Sequence, residues 1–448
     1  MNEDSKKYGQ EAYDIVCHAA NEIGPRLPGT ESETKFHKYM GQKLRDIGIQ
    51  PVEEKFTVAP RGSIGGLPYA GYAGVLMSVL IYVALDNPSV WFAIFAIAFC
   101  MTIWLIFDVL LYHTWFDIFF PHETSRNTYG ELLPEDGEYD YTIMLSAHTD
   151  TSWTWKHSLR TYHYRKHADY ATRGLLATIA KVGFGAACYF FLVGTACFMA
   201  VIETGGLFHA QWAAAIVERV SFHNFIVALH FIPIVTTIGC IFVGIWNDPH
   251  GRNASPGAMD NATGIALSYE VTKYFKEHPE KMPKRCRIID LNCGSEEAGL
   301  RGSIAFTRDH EGEDILKNCW NINIDSIADA DHFEVINGDT WQFCRFDKDL
   351  EKMFKDTFAE KGIVSKTKGY AMKNPVGGCD STPMTRAGIK SVTFAAQNPT
   401  LTYYYHTWRD LPERFSAETV AQGFDVVISV IDKIAAFQEA NGFNGVNN

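Results

Sequence analysis

The chain has 448 residues, enough for one large domain or two ordinary ones with a full core. Its net charge of −12 gives a nucleic-acid partner no electrostatic support. Ten cysteines are scattered without a CxxC pair, which excludes a disulfide framework and a zinc-thiolate site and fits a reducing compartment.

The opening "MNEDSKKYGQ" is polar and reads as neither a secretory signal nor a transit peptide. "EAYDIVCHAANEI" and "ETKFHKYMGQKLRDIG" then show helical periodicity. Between Arg61 and Asp86 no charged residue occurs, and none between Asp86 and Asp108. Further on, 21 uncharged residues lie between Lys181 and Glu203, and 28 between Arg219 and Asp248. A helix needs about 20 apolar residues to cross the hydrocarbon core, whereas soluble core helices are usually shorter and keep a polar edge. The expectation is four membrane spans in two hairpins. The first turns at "DNPS", and the second has a longer loop with "HAQWAAAIVERV" as an interfacial helix. Lys156, Arg160, Arg165, Lys166, Arg173 and Lys181 precede the third span, while the loop after it holds only Arg219. The excess of basic residues places the rest of the chain in the cytoplasm.

This division gives five segments: 1–62, the start of a catalytic domain; 63–120, the first hairpin; 121–151, a return to the domain; 152–250, the second hairpin; and 251–448, the remainder. Without the hairpins roughly 290 residues remain, the size of one α/β domain. "YTIMLSAHTDT", "RCRIIDLNCGSEE", "CWNINIDS" and "IKSVTFAAQ" are short apolar runs ending in polar residues. "GIALSYEVTKYFKEH" and "SAETVAQGFDVVISVIDKIAAF" read as helices between or after them. The expected fold is α/β, a mixed, mostly parallel sheet covered by helices on both faces.

In such sheets ligands bind beyond the carboxyl ends of the strands. His148 and Asp150 follow one apolar run, the adjacent Glu296 and Glu297 a second, and Asp325 a third. His406 follows the fourth, and Asp260 lies in the turn-rich "SPGAMDNATG". Two neighbouring carboxylates at the end of a buried strand repel each other unless a cation holds them. Singly, each residue could be a cap, a turn or a satisfied core group. Together they form a nitrogen and oxygen ligand set without cysteine, which suits zinc.

The ordered motifs "EIGPRLPGTESE", "NTYGEL", "SAHTDT", "SPGAMDNATG", "SEEAGLRGS", "NINIDS", "GGCDSTPMTRAGI" and "YYYHTWRDLPE" resemble those of the di-zinc exopeptidases related to bacterial leucyl aminopeptidase and glutamate carboxypeptidase. The resemblance implies two zinc ions, one on His148 and Asp325, the other on Glu297 and His406, with Asp260 bridging. It implies Glu296 as general base and Asp150 as the residue that hydrogen-bonds His148 and fixes its tautomer. Three features depart from the pattern. Met259 stands where relatives often have aspartate, Cys379 where they often have serine or threonine, and 112 positions separate His148 from Asp260 where relatives have a short loop.

The function expected is a membrane-anchored di-zinc exopeptidase, an aminopeptidase favouring apolar substrates. Its expected partners are a peptide substrate and the lipid bilayer. A zinc amidase acting on N-acyl amino acids or related lipid amides is the alternative, and a non-enzymatic membrane receptor or scaffold is another. The complete ligand set argues against the last. Both ends of the second hairpin are pinned close to zinc ligands, so the spans are expected to roof the site.

Overall fold

The computed structural model describes residues 3–84, 88–155, 189, 191–195, 240–241, 243–244, 254–374, 377–398 and 404–443. Among these, one sheet runs through the molecule. Its strands are β1 (Pro51–Val58), β2 (Glu123–Leu132), β3 (Tyr141–His148), β4 (Cys286–Cys293), β5 (Cys319–Ile327), β6 (Phe333–Asp339), β7 (Cys344–Arg345), β8 (Ala371–Asn374) and β9 (Lys390–Ala396). The spatial order is β1-β2-β4-β3-β5-β9-β6-β7, with β8 beside β6.

The four central strands β4, β3, β5 and β9 are parallel. Each is a continuous apolar run because both faces are covered. On β3, Ile143 and Leu145 pack under the helices Glu3–His18, Thr263–Glu277 and Ala417–Ala440, while Met144 meets Phe306 and Met384 on the opposite face. The margins differ from the expectation of a mostly parallel sheet. β1 with β2, β2 with β4, β9 with β6, and β6 with β7 are all antiparallel. The physical reason is exposure. β1, "PVEEKFTV", is half solvated and needs no helix over its outer face, so it escapes the apolar-run pattern.

Helix ends are set locally. Thr30 caps Glu31–Asp46 by accepting from the Glu33 amide, and Ser416 caps Ala417–Ala440 by accepting from Thr419. Glu33 reaches back to the Gly29 amide at 2.8 Å, a variant of the capping box.

Between β1 and β2 two apolar helices, Leu67–Ala84 and Pro88–Trp104, pack together. Among the described residues one stretch, Phe92–Leu110, is 19 residues long and apolar enough to cross a membrane, and Ile64–Leu80 is apolar but shorter. Most of the expected second hairpin lies outside the described residues. Where described, it touches the first. A Cβ on Gly71 would lie 2.1 Å from the Gly244 nitrogen, so only glycine allows this approach.

Candidate metal centre

The parallel strands bring the polar residues to one edge. His148 is the last residue of β3, and Asp325 lies near the end of β5. Glu296 and Glu297 form a single helical turn just past β4. Asp260 occupies the irregular turn Ala258–Ala262 before the helix Thr263–Glu277, and its peptide bond to Asn261 is cis. His406 follows β9 with a φ of 52°, a left-handed conformation that histidine rarely adopts.

Asp260 stands in the middle. Its Oδ1 lies 3.1 Å from His148 Nε2 and its Oδ2 lies 3.0 Å from His406 Nε2. Asp325 Oδ1 flanks the first imidazole at 3.9 Å, and Glu297 Oε1 flanks the second at 2.8 Å. His148, Asp260 and Asp325 thus form one group able to hold a metal ion, and Asp260, Glu297 and His406 a second. All five residues expected as ligands converge, with Asp260 common to both groups.

The electrostatics favour added positive charge. Burial works against the His406 imidazolium, yet Glu297 and Asp260 outweigh it and carry its pKa up to about 9. Burial likewise opposes charge on His148, but Asp150 and Asp260 hold its pKa well above the histidine range. Burial pushes Asp325 up to about 7 and Glu296 well above the carboxylate range. Without metal, protons therefore take the place of positive charge, and a bound ion would expel them. Tautomer chemistry agrees. His148 Nδ1 faces the Asp150 carbonyl at 3.2 Å, and a carbonyl only accepts, so Nδ1 carries the hydrogen. Nε2 is then the nitrogen left to face the carboxylate oxygens, and its proton is the one a metal ion between them would displace.

Asp150 does more than hold His148. Its Oδ1 is 3.4 Å from His148 Nδ1, but its two oxygens accept from the main-chain N–H groups of Glu296 and Glu297, each at 2.9 Å. The carboxylate thereby fixes the glutamate turn against the His148 strand.

Several supporting residues carry no signal of their own in the sequence. Glu33 accepts from the Ser295 amide at 2.7 Å and from Ser125 at 3.0 Å, holding the residue before Glu296. Asp410 accepts from the amides of Met259 at 2.8 Å and Asp260 at 3.1 Å. Arg26, fully buried, donates to the carbonyls of Thr149 at 2.8 Å, Pro256 at 2.9 Å and Gly257 at 2.9 Å. It ties the segment after His148 to the segment before Asp260. Beside it, Ser255 donates to the Ser152 carbonyl and Trp153 bridges Ala254, making a two-stranded neck. Trp155 ends this neck against His406. Arg26, Glu33 and Asp410 lie inside quoted motifs, so the motifs pointed to them without assigning a task.

His148, Asp260, Glu297, Asp325 and His406 line a cavity of about 90 Å³. Ile64 and Tyr112, from the two ends of the helical segment, and Trp155, from the neck, form part of its wall. Cys379 also lines it, with its amide donating to Asp339 at 2.9 Å.

Residues 244–431 match the model of peptidase family M28. Aminopeptidase YwaD of Bacillus subtilis (strain 168) is 30% identical over 193 residues, which cover 40% of this chain and 37% of that protein. The match thus spans well under half of the relative. Among solved structures, a zinc aminopeptidase, BSAP, from Bacillus subtilis aligns over 95% of both chains with a TM-score of 0.50 and 14% identity. A glutaminyl cyclase of Bacteroides thetaiotaomicron bound to N-acetylhistamine aligns over 94% of this chain and 97% of its own with a TM-score of 0.50 and 13% identity. At such identities the structural likeness speaks to the fold alone.

Proposed function

We propose that this chain, whose residues 244–431 match the model of peptidase family M28, is a membrane-anchored zinc exopeptidase that removes residues from the amino end of peptides with an apolar portion. The observation that carries this reading is Asp260, whose two oxygens face two different imidazoles, each backed by a further carboxylate. Borderline zinc accepts this mixture of nitrogen and oxygen donors. His148, Asp260 and Asp325 would hold one ion, and Asp260, Glu297 and His406 the other. When bound, the pair supplies Lewis acidity, lowering the pKa of water and stabilising the charge that develops on the carbonyl oxygen.

The chain's own residues do the rest. Glu296, held through its main-chain N–H by Asp150, takes a proton from the attacking water and delivers it to the leaving nitrogen. Ile64, Tyr112 and Trp155 wall off water and offer apolar surface to the substrate.

Ile64–Leu80 and Phe92–Leu110 together would anchor the domain as a hairpin, since β1 and β2 on either side of it pair in one sheet. Ile118 and Phe119, 74% and 73% exposed just past it, and the half-exposed Trp115 suit the bilayer interface. The segment 152–250 would add two more spans, with the catalytic domain on the cytoplasmic side. Free cysteines among the described residues fit that compartment.

The test uses the full chain in detergent, with zinc content measured. Release of the first residue from leucyl amides and short peptides, abolished by a chelator and restored by zinc, is the expected result. Hydrolysis of N-acyl amino acids without any cleavage of free-amine substrates would replace the exopeptidase by the amidase. No hydrolysis of either by the zinc-loaded protein would overturn both.

A further inference from the structure

The cavity extends beyond the metal ligands over one face of the sheet margin. Along β6, Phe333 and Val335 turn into the core, while Glu334 and Ile336 turn to the cavity. In register, Glu334 pairs with Ala395 of β9 and Ile336 pairs with Met372 of β8, and both partners line the same cavity. Asn374 and Gln397 also line this part of the cavity, and Glu334 is the one acid that β6, β8 and β9 contribute to it.

Glu334 is 2% exposed. The Thr367 hydroxyl donates to its Oε2. Burial pushes its carboxyl up to about 7, with Thr367 opposing and the like charge of Asp329 adding to the rise. No cation figures among these influences. Among the described residues no ion pair forms with Glu334, and the cost of keeping an acid this far from water falls when a cation arrives. Tethering Thr367 is a purely structural alternative, and a neutral glutamine would serve that purpose equally well.

We propose that Glu334 is the base of the subsite for the side chain beside the scissile bond, and that it selects residues with an apolar stem and a cationic tip, lysine or arginine. Ile336, Met372 and Ala395 would line the stem, and the Glu334 carboxylate would meet the ammonium or guanidinium group. This rests on the exopeptidase reading and narrows it, since an apolar wall alone would accept leucine or norleucine as well as lysine.

Norleucine has the lysine stem without the charge and is the matched probe. With the full-length, zinc-loaded protein in detergent, kcat/KM for lysyl amide is expected to exceed that for norleucyl amide at least tenfold. Glu334→Gln, which preserves shape and the Thr367 contact, should reduce that ratio at least tenfold, and Glu334→Leu should invert it. A wild-type ratio near one, or a ratio unchanged by both substitutions, would overturn the proposal. Calorimetric binding of free lysine and norleucine provides a reading independent of turnover. Tighter lysine binding that Glu334→Gln abolishes, in a protein that cleaves no aminoacyl amide, would sustain the subsite and sink the exopeptidase. Equal binding of both amino acids would sink the subsite whatever the turnover.

Discussion

Trp155 stands edge-on to His406, with ring centroids 4.2 Å apart and planes at 77°. Its main-chain N–H also donates to the His406 carbonyl at 2.8 Å. The remaining ring nitrogen of His406, Nδ1, has no hydrogen-bond partner among the described residues. An imidazole ligand is ordinarily steered by a carboxylate or carbonyl on that nitrogen. Here packing takes over, with Trp155 on the edge and Tyr405 stacked at 3.8 Å.

Trp155→Ala is therefore expected to weaken zinc binding about 10–100-fold, the range seen when such orienting partners are lost. Trp155→Phe, which keeps an aromatic edge, should lose less. Chelator competition followed by metal analysis measures this. Equal affinities in the two variants and the wild type would show that His406 needs no such support.

Glu296→Gln preserves volume and the main-chain bond to Asp150 but cannot carry a proton between water and the leaving nitrogen. Turnover should fall by about 10²–10⁴-fold while zinc content and thermal stability stay near wild type. A variant with near-normal kcat would remove Glu296 from its role.

Asp410→Ala leaves the amides of Met259 and Asp260 without their acceptors in a buried turn. Each orphaned amide costs about 1–3 kcal/mol. Lower thermal stability should accompany weaker zinc binding, because the turn that carries the shared ligand loosens. A loss of stability with metal affinity intact would confine Asp410 to a structural role.

Asp290 offers a pH signature away from the metals. It lies on β4 facing Ser268, fully buried, and burial pushes its carboxyl up to about 7. The folded state thus holds its proton more tightly than the unfolded chain. Its contribution is full below the ordinary aspartate range and is lost as pH rises toward about 7. Asp290→Asn removes that dependence. The variant should match the wild type near pH 4 and exceed it by pH 8, by up to about 4 kcal/mol. Denaturant unfolding across that range measures the difference, and a constant offset between the two curves would refute the assignment.

The central strands and the convergence of the candidate ligands were legible in the sequence for one physical reason. Doubly covered parallel strands are apolar runs, and their carboxyl ends collect ligands, so His148, Glu297 and Asp325 announce themselves by position. The antiparallel margin was not legible, because β1 is half exposed and β7 has two residues. The supporting residues were hidden differently. Glu33 meets Ser295, and Asp410 meets Asp260, across long stretches of chain. No local periodicity records such a contact. Glu334 reads as an ordinary strand acid until β8 and β9 enclose it.

The knot of carbonyls around Arg26 bears on how this chain could have arisen. Ser152 and Ser255 are already hydrogen-bonded neighbours, so the chain between them begins and ends at one point. Closing a loop of a hundred residues rather than ten there costs only about 2 kcal/mol more. Arg26 holds both stems whatever follows them, while the shared ligand Asp260 sits just beyond the tie. That position is a natural splice point. A lineage could lengthen, trade or shorten the inserted chain there without rebuilding the edge that carries Asp260, provided that Arg26 and an aromatic at position 155 were retained.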